Sequence, residues 1–107
     1  MDHCLVITTC PDAHSAEMLA RHLVETRLAA CVNILPGICS VYQWKGELAT
    51  DVEQLLLVKT RRDVYPQVEA AIRAKHPYEL PEVIAVPLAQ GSGDYLAWIN
   101  SVLDHKQ

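Results

Sequence analysis

The sequence predicts an α+β fold with the element order β-α-β-β-α-β-α, a four-stranded antiparallel sheet with its two main helices on one face. Three observations lead there. Short apolar runs rich in β-branched residues, at 4–10 and 83–88, read as strands near the two ends of the chain. Two segments keep their apolar residues on a single helical stripe. Between those helices, residues 30–60 alternate in the manner of strands and fold back at a Gly.

Each element has its own signature. Residues 4–10, Cys-Leu-Val-Ile-Thr-Thr-Cys, are closed by Pro11-Asp12, and Asp12 is placed to cap a helix directly after it. In that next segment Ala16, Leu19, Ala20, Leu23 and Val24 fall at i, i+3, i+4, i+7 and i+8, while Glu17, Arg21 and Glu25 form an i,i+4 ladder, so a helix is predicted over 13–27. A strand then runs from Ala30 to Lys45, interrupted at Pro36-Gly37, where Pro removes a ladder donor and Gly permits a bulge. Beyond the break Ser40, Tyr42 and Trp44 share one face. Lys45-Gly46-Glu47 is turn chemistry, and Val52–Thr60 returns as a strand whose centre, Leu55-Leu56-Leu57-Val58, is apolar on both faces. Asp63 is expected to cap a second helix bearing Val64, Val68, Ala71 and Ile72 on one stripe, which ends where Pro77 excludes His76 from helical geometry. Residues 83–88 form the fourth strand, with Pro87 marking an edge or an end. After Gly91-Ser92-Gly93-Asp94, a short third helix carries Leu96, Ile99, Val102 and Leu103. This order is the split βαβ arrangement of ferredoxin-like folds, with no linker to divide the single domain, 1–107.

Composition narrows the function. The chain has 107 residues, 9 Lys plus Arg and 13 Asp plus Glu, hence a net charge of −4, which leaves no whole-molecule positive field to draw nucleic acid or anionic lipid. No apolar run approaches the ~20 residues of a membrane span and no leader pattern opens the chain, so a cytoplasmic location is expected. Cys4, Cys10, Cys31 and Cys39 match neither a Cys-x-x-Cys pair nor a disulfide scaffold and read as buried, reduced thiols. Other functions housed on this fold lack their residues. The chain has no Phe, and its first and third strands carry no ring on which an RNA base could stack. No paired thiols exist for a copper chaperone, and Thr8-Thr9-Cys10-Pro11 offers neither the Gly nor the Arg of an acyl-phosphate cradle. Gly91-x-Gly93 is turn punctuation, not a dinucleotide loop.

Five segments remain distinctive: Leu28-Ala29-Ala30-Cys31-Val32-Asn33-Ile34-Leu35-Pro36-Gly37, Tyr42-Gln43-Trp44-Lys45-Gly46, Lys59-Thr60, His76-Pro77-Tyr78-Glu79-Leu80-Pro81-Glu82, and Gly91 followed by Tyr95-Leu96-Ala97-Trp98. In order and spacing they resemble the CutA divalent-cation tolerance family, over about residues 4–102. The resemblance implies a cytoplasmic homotrimer linked to tolerance of copper and other divalent metals, without an established catalytic activity. It also implies that His76, in its His-Pro-Tyr motif, occupies a copper-ligand position. The sequence departs from the pattern of some bacterial members at Thr8, where those have a ligand cysteine.

Topology ranks the donors independently. In β-α-β-β-α-β the first strand ends where the second helix ends, so Cys10 and His76 are expected to be neighbours, while Cys31 starts the second strand at the far end. Cys10 shares Thr8's face, about 6.6 Å further along. The candidate metal ligands are therefore His76 and Cys10, with copper(II) as the expected ion, other divalent metals as competitors, and Glu79 or Asp12 to complete the shell. Copper binding is expected to weaken as pH falls through about 6.5, the ordinary His value. His14 and His22, about 12 Å apart along one helix, are too far apart for one ion.

Plainer roles stand beside these. His76 reads equally as a helix cap whose imidazole meets the last carbonyls, His3 and His105 as solvated, Arg61-Arg62 as a solvated strand end, Lys59 as an edge charge, and Tyr95 and Trp98 as core. A catalytic Cys10–His76 pair is a weaker third reading. A PII-like trimeric metabolite sensor shares the topology, but its phosphate site needs a basic loop, and 45–51 sets one Lys against Glu47 and Asp51. Trimer formation has a second argument. A hairpin arm from Cys31 to Lys45 at ~3.3 Å per residue outruns a domain ~34 Å across, so the segment 38–44, with Tyr42 and Trp44, is expected to pair with a neighbouring subunit.

Overall fold

A computed structural model describes residues 2–105. It contains β1 (His3–Cys10), α1 (Ala13–Glu25), β2 (Cys31–Trp44), β3 (Glu47–Arg61), α2 (Tyr65–Lys75), β4 (Ile84–Pro87) and α3 (Gly93–Asp104). The strands lie in the order β2-β3-β1-β4 and every neighbouring pair is antiparallel, the ferredoxin-like arrangement. Strand alternation divides the sheet. Cys4, Val6, Thr8 and Cys10 of β1, with Leu56, Val58 and Thr60 of β3, are buried. They meet Ala16, Leu19 and Leu23 of α1 and Val68 and Ile72 of α2, which form the core with them. Helix α1 is capped as its sequence predicts, with Ser15 N–H donating to Asp12 Oδ1 at 2.7 Å.

The long hairpin has both of its expected irregularities. Pairing shifts between Leu35 and Ile38, where Gly37 takes φ 75°, so Pro36 and Gly37 form the bulge. The turn is tighter than 45–51, because Lys45 and Gly46 have φ of 53° and 82° and pairing resumes at once with Trp44 opposite Glu47. Strand β3 therefore begins at Glu47, not Val52. Its partner β1 stops at Cys10, opposite Gln54, while β2 continues to Trp44, so 38–53 is a two-stranded arm beyond the sheet. The arm contributes to a molecule 44 Å long and 29 by 22 Å across.

Several polar assignments change where α3 packs. His3 and Arg61 sit opposite each other on the sheet face turned away from α1 and α2, and α3 covers them. Arg61 is 4% exposed, gripping Asp104 at 2.8 and 3.0 Å and Asp63 at 2.9 and 3.2 Å, so it is a buried clamp and not a solvated strand end. That clamp also explains why Asp63 does not cap α2: its carboxylate is taken, and Val64 stands at the N-cap without a side-chain bond. His3 is likewise buried, its Nε2 donating to Leu96 O and Asn100 Oδ1. Tyr95 and Trp98 lie on the outer side of α3, exposed and stacked on each other at 5.4 Å, rather than in the core. Lys59 Nζ donates to Tyr95 Oη at 3.2 Å.

Candidate metal centre

The end of β1 and the end of α2 meet. Pro77 holds His76 extended at φ −77° and ψ 139°, and the His76 main chain, not its ring, finishes the helix, with N–H donating to Ile72 O at 2.9 Å. The imidazole is thereby turned towards β1. Its Nε2 lies 2.6 Å from Thr9 O and 3.8 Å from Cys10 Sγ, and its Nδ1 accepts from Tyr78 N–H at 3.1 Å. These partners assign the tautomer, since a ring nitrogen that accepts an amide proton leaves the other to carry the hydrogen. The neutral ring holds its proton on Nε2 and gives it to Thr9 O. His76 is buried and Cys10 has no exposure at all.

Burial decides the state of the thiol. It pushes Cys10 up from 9.0 to about 11, with Asp12 and Glu53 adding to the lift against a hydrogen bond with Ser15. Such a thiol carries almost no thiolate near neutral pH, the opposite of an activated nucleophile. A tyrosine and a carboxylate close the outer side. Tyr78 stacks on His76 at 4.8 Å and donates its hydroxyl to Glu53 Oε2 at 2.6 Å, and Glu53 is buried beside the root of the arm. Burial and then Glu53 raise the Tyr78 phenol, so it stays a donor. Tyr78 stands in the His-Pro-Tyr motif but had no role assigned to it, and Glu53 did not stand out in the sequence. Glu53 is one polar position in an alternating strand, and its partner lies 25 positions on.

The expected third ligands are elsewhere. The Asp12 carboxylate is committed to capping α1, and Glu79 is exposed. Cys31 pairs with Lys59, five β3 positions from the Gln54 that faces Cys10, so it belongs to the other end of the sheet. All four cysteines are free, but only Cys4 and Cys10 are buried, whereas Cys39 is exposed on the arm. Among the described residues no group of three or more His, Cys, Asp or Glu side chains is gathered to hold a metal. Thr8, fully buried two residues before Cys10, has a hydroxyl without a partner. The donor set is thus one thiol and one imidazole, which fits a soft ion at low coordination number.

The fold and this pair define a ferredoxin-like protein with a buried thiol facing a buried imidazole at the β1–α2 junction. The chain belongs to the CutA1 divalent ion tolerance family, whose model matches residues 4–102. The divalent-cation tolerance protein CutA of Thermus thermophilus is 47% identical over 95 residues, covering 89% of this chain and 92% of that one. Human protein CutA is 46% identical over 96 residues, which cover 90% of this chain but 54% of the human protein, so the chain spans about half of that relative. The crystal structure of CutA from Xylella fastidiosa superposes with a TM-score of 0.94 at 46% identity, covering 97% of this chain and 100% of that one.

Proposed function

We propose that the protein binds copper through Cys10 and His76 and serves divalent-ion tolerance as a cytoplasmic homotrimer, without turnover. The observation that carries the reading is the 3.8 Å approach of a buried thiol to a buried imidazole. A protonated thiol suits this role better than catalysis: a metal displaces the proton, while a substrate meets no nucleophile. Copper leads the divalent affinity order, with zinc and other divalent ions as weaker competitors, and thiolate adds a preference for copper(I). Four free cysteines accord with a reducing compartment. Among the described residues no helix is long and apolar enough to cross a membrane.

Assembly rests on the arm. Its outer strand 38–44 has pairing partners on β3 alone, and Val41, Trp44, Leu48 and Val52 are 64%, 41%, 75% and 68% exposed in the single chain. A free strand edge with that apolar area is best satisfied by a neighbouring copy. The metal test is anaerobic calorimetry of copper with wild type, His76→Ala and Cys10→Ser at about pH 7.5 and 5.5. Both variants should bind more weakly at the higher pH. If His76→Ala binds as tightly as wild type, the histidine positions the loop and the site lies elsewhere. Light scattering that gave a stable monomer at micromolar concentration would remove the trimer.

A further inference from the structure

Helix α1 turns a second set of soft donors to solvent. His14, Met18 and His22 stand at i, i+4 and i+8, so each imidazole is one turn from the thioether, where neighbouring Cβ atoms are about 5–6 Å apart. The opposite side of the helix, Ala16, Leu19, Ala20 and Leu23, is locked in the core and fixes the stripe outward. Met18 is 59% exposed, His14 is exposed, and His22 is half-buried at the flank of the stripe. Among the described residues neither imidazole is engaged in a side-chain hydrogen bond or an ion pair. Arg21, on the same helix, is folded back onto Glu17, with Nε and Nη2 each 3.0 Å from Oε1.

An exposed Met alone carries no message. Its place between two unengaged imidazoles does, because a thioether has little attraction for hard cations, and thioether with imidazole suits a d10 monovalent ion such as copper(I) or silver(I). The two imidazoles are separated by about 12 Å of helical rise, so they cannot grip one ion together. We propose that the outer face of α1 is a soft monovalent cation site in its own right, in which Met18 pairs with either His14 or His22 to hold one ion in two alternative two-donor positions. All three donors are neutral, so the ion is held loosely and exchanges at the surface. The site is independent of Cys10 and His76.

The test titrates silver(I) into the full chain carrying Cys31→Ser and Cys39→Ser, which removes the two thiols that reach solvent, with 13C in the methionine methyls. The chain has two methionines, so Met1 is an internal reference and Met18→Leu assigns the other signal while conserving helix propensity. The Met18 methyl and the ring C–H signals of His14 and His22 should move together and saturate. Either His→Gln variant should weaken binding by only about twofold, because the other position remains, and the double variant by at least about tenfold. The proposal fails if the Met18 methyl stays still, or if Met18→Leu leaves the imidazole shifts unchanged. Adding Cys10→Ser should leave the response intact. If the Met18 response vanishes with Cys10, the ion belongs to the buried pair and this site does not exist.

Discussion

Metal uptake at the buried pair should be governed by the proton on Cys10. At about pH 7.5 a thiol held to about 11 must be deprotonated against a gap of about 3.5 units, about 4.8 kcal/mol at 1.36 kcal/mol per unit. His76 adds a second cost that does not depend on pH. To offer Nε2 to an ion it must move its ring proton to Nδ1, losing the bonds to Thr9 O and from Tyr78 N–H, about 1 kcal/mol each. Because ligation releases the thiol proton and the tautomer change releases none, affinity rises with pH, about tenfold per unit up to the thiol value. Zinc(II) is the clean probe, since it takes thiolate and imidazole and cannot be reduced. Calorimetry on the Cys31→Ser, Cys39→Ser chain between about pH 7 and 9 should show an approximately 100-fold gain, and buffers of different ionisation enthalpy should count one proton released. A slope below about half a decade per unit, or the same slope after Cys10→Ser, would refute the mechanism.

The same thiol makes the metal-free fold sensitive to alkali. Its folded value lies above its unfolded one, so its contribution is complete below pH 9.0 and is lost as pH rises through about 11, some 3 kcal/mol in all. Urea unfolding across that range should show a loss smaller by about that amount in Cys10→Ala than in wild type, the remainder coming from other groups that burial raises, Cys4 and Tyr78 among them. Thr8→Val, which replaces the partnerless hydroxyl with a methyl of similar size, should raise stability by about 1–2 kcal/mol in the same assay, and a destabilised variant would mean that the hydroxyl has a partner. Trp44→Ala should dissociate the assembly on light scattering while leaving copper affinity unchanged, since a fully enclosed Trp contact is worth about 3–5 kcal/mol and the indole offers no ligand atom for a divalent ion. A normal assembly mass with weakened copper binding would reverse that assignment.

What was legible in the sequence was whatever depends on neighbours along the chain. The Asp12 cap, the α1 stripe, the Pro36-Gly37 bulge and the end of α2 at His76 all come from local spacing or backbone chemistry. The meeting of Cys10 with His76 was legible one level up, because strand order brings two remote ends together whatever the side chains between them. What was hidden required knowing which face α3 would choose. Arg61 and His3 look solvated until a helix from the far end of the chain covers their side of the sheet, and Asp63 looks like a cap until Arg61 claims it. Glu53 was hidden for a different reason, since its partner Tyr78 reaches it from the loop after α2, 25 positions on.

The state of the thiol was the least legible feature and matters most to function. Sequence places a cysteine beside a histidine, which is equally the start of a nucleophile or of a metal site. Burial separates the two, because a catalytic thiol needs its proton removed before substrate arrives, whereas a ligand can keep its proton until the ion displaces it. With Cys10 held up to about 11 and the Nε2 proton of His76 bound to Thr9, the pair is closed to electrophiles at neutral pH. On the proposed role, it opens to an ion that can compete for the sulfur against a proton. Iodoacetamide should therefore label Cys39 far faster than Cys10 near neutral pH, and a Cys10 that reacted as fast as Cys39 would return the pair to the catalytic reading.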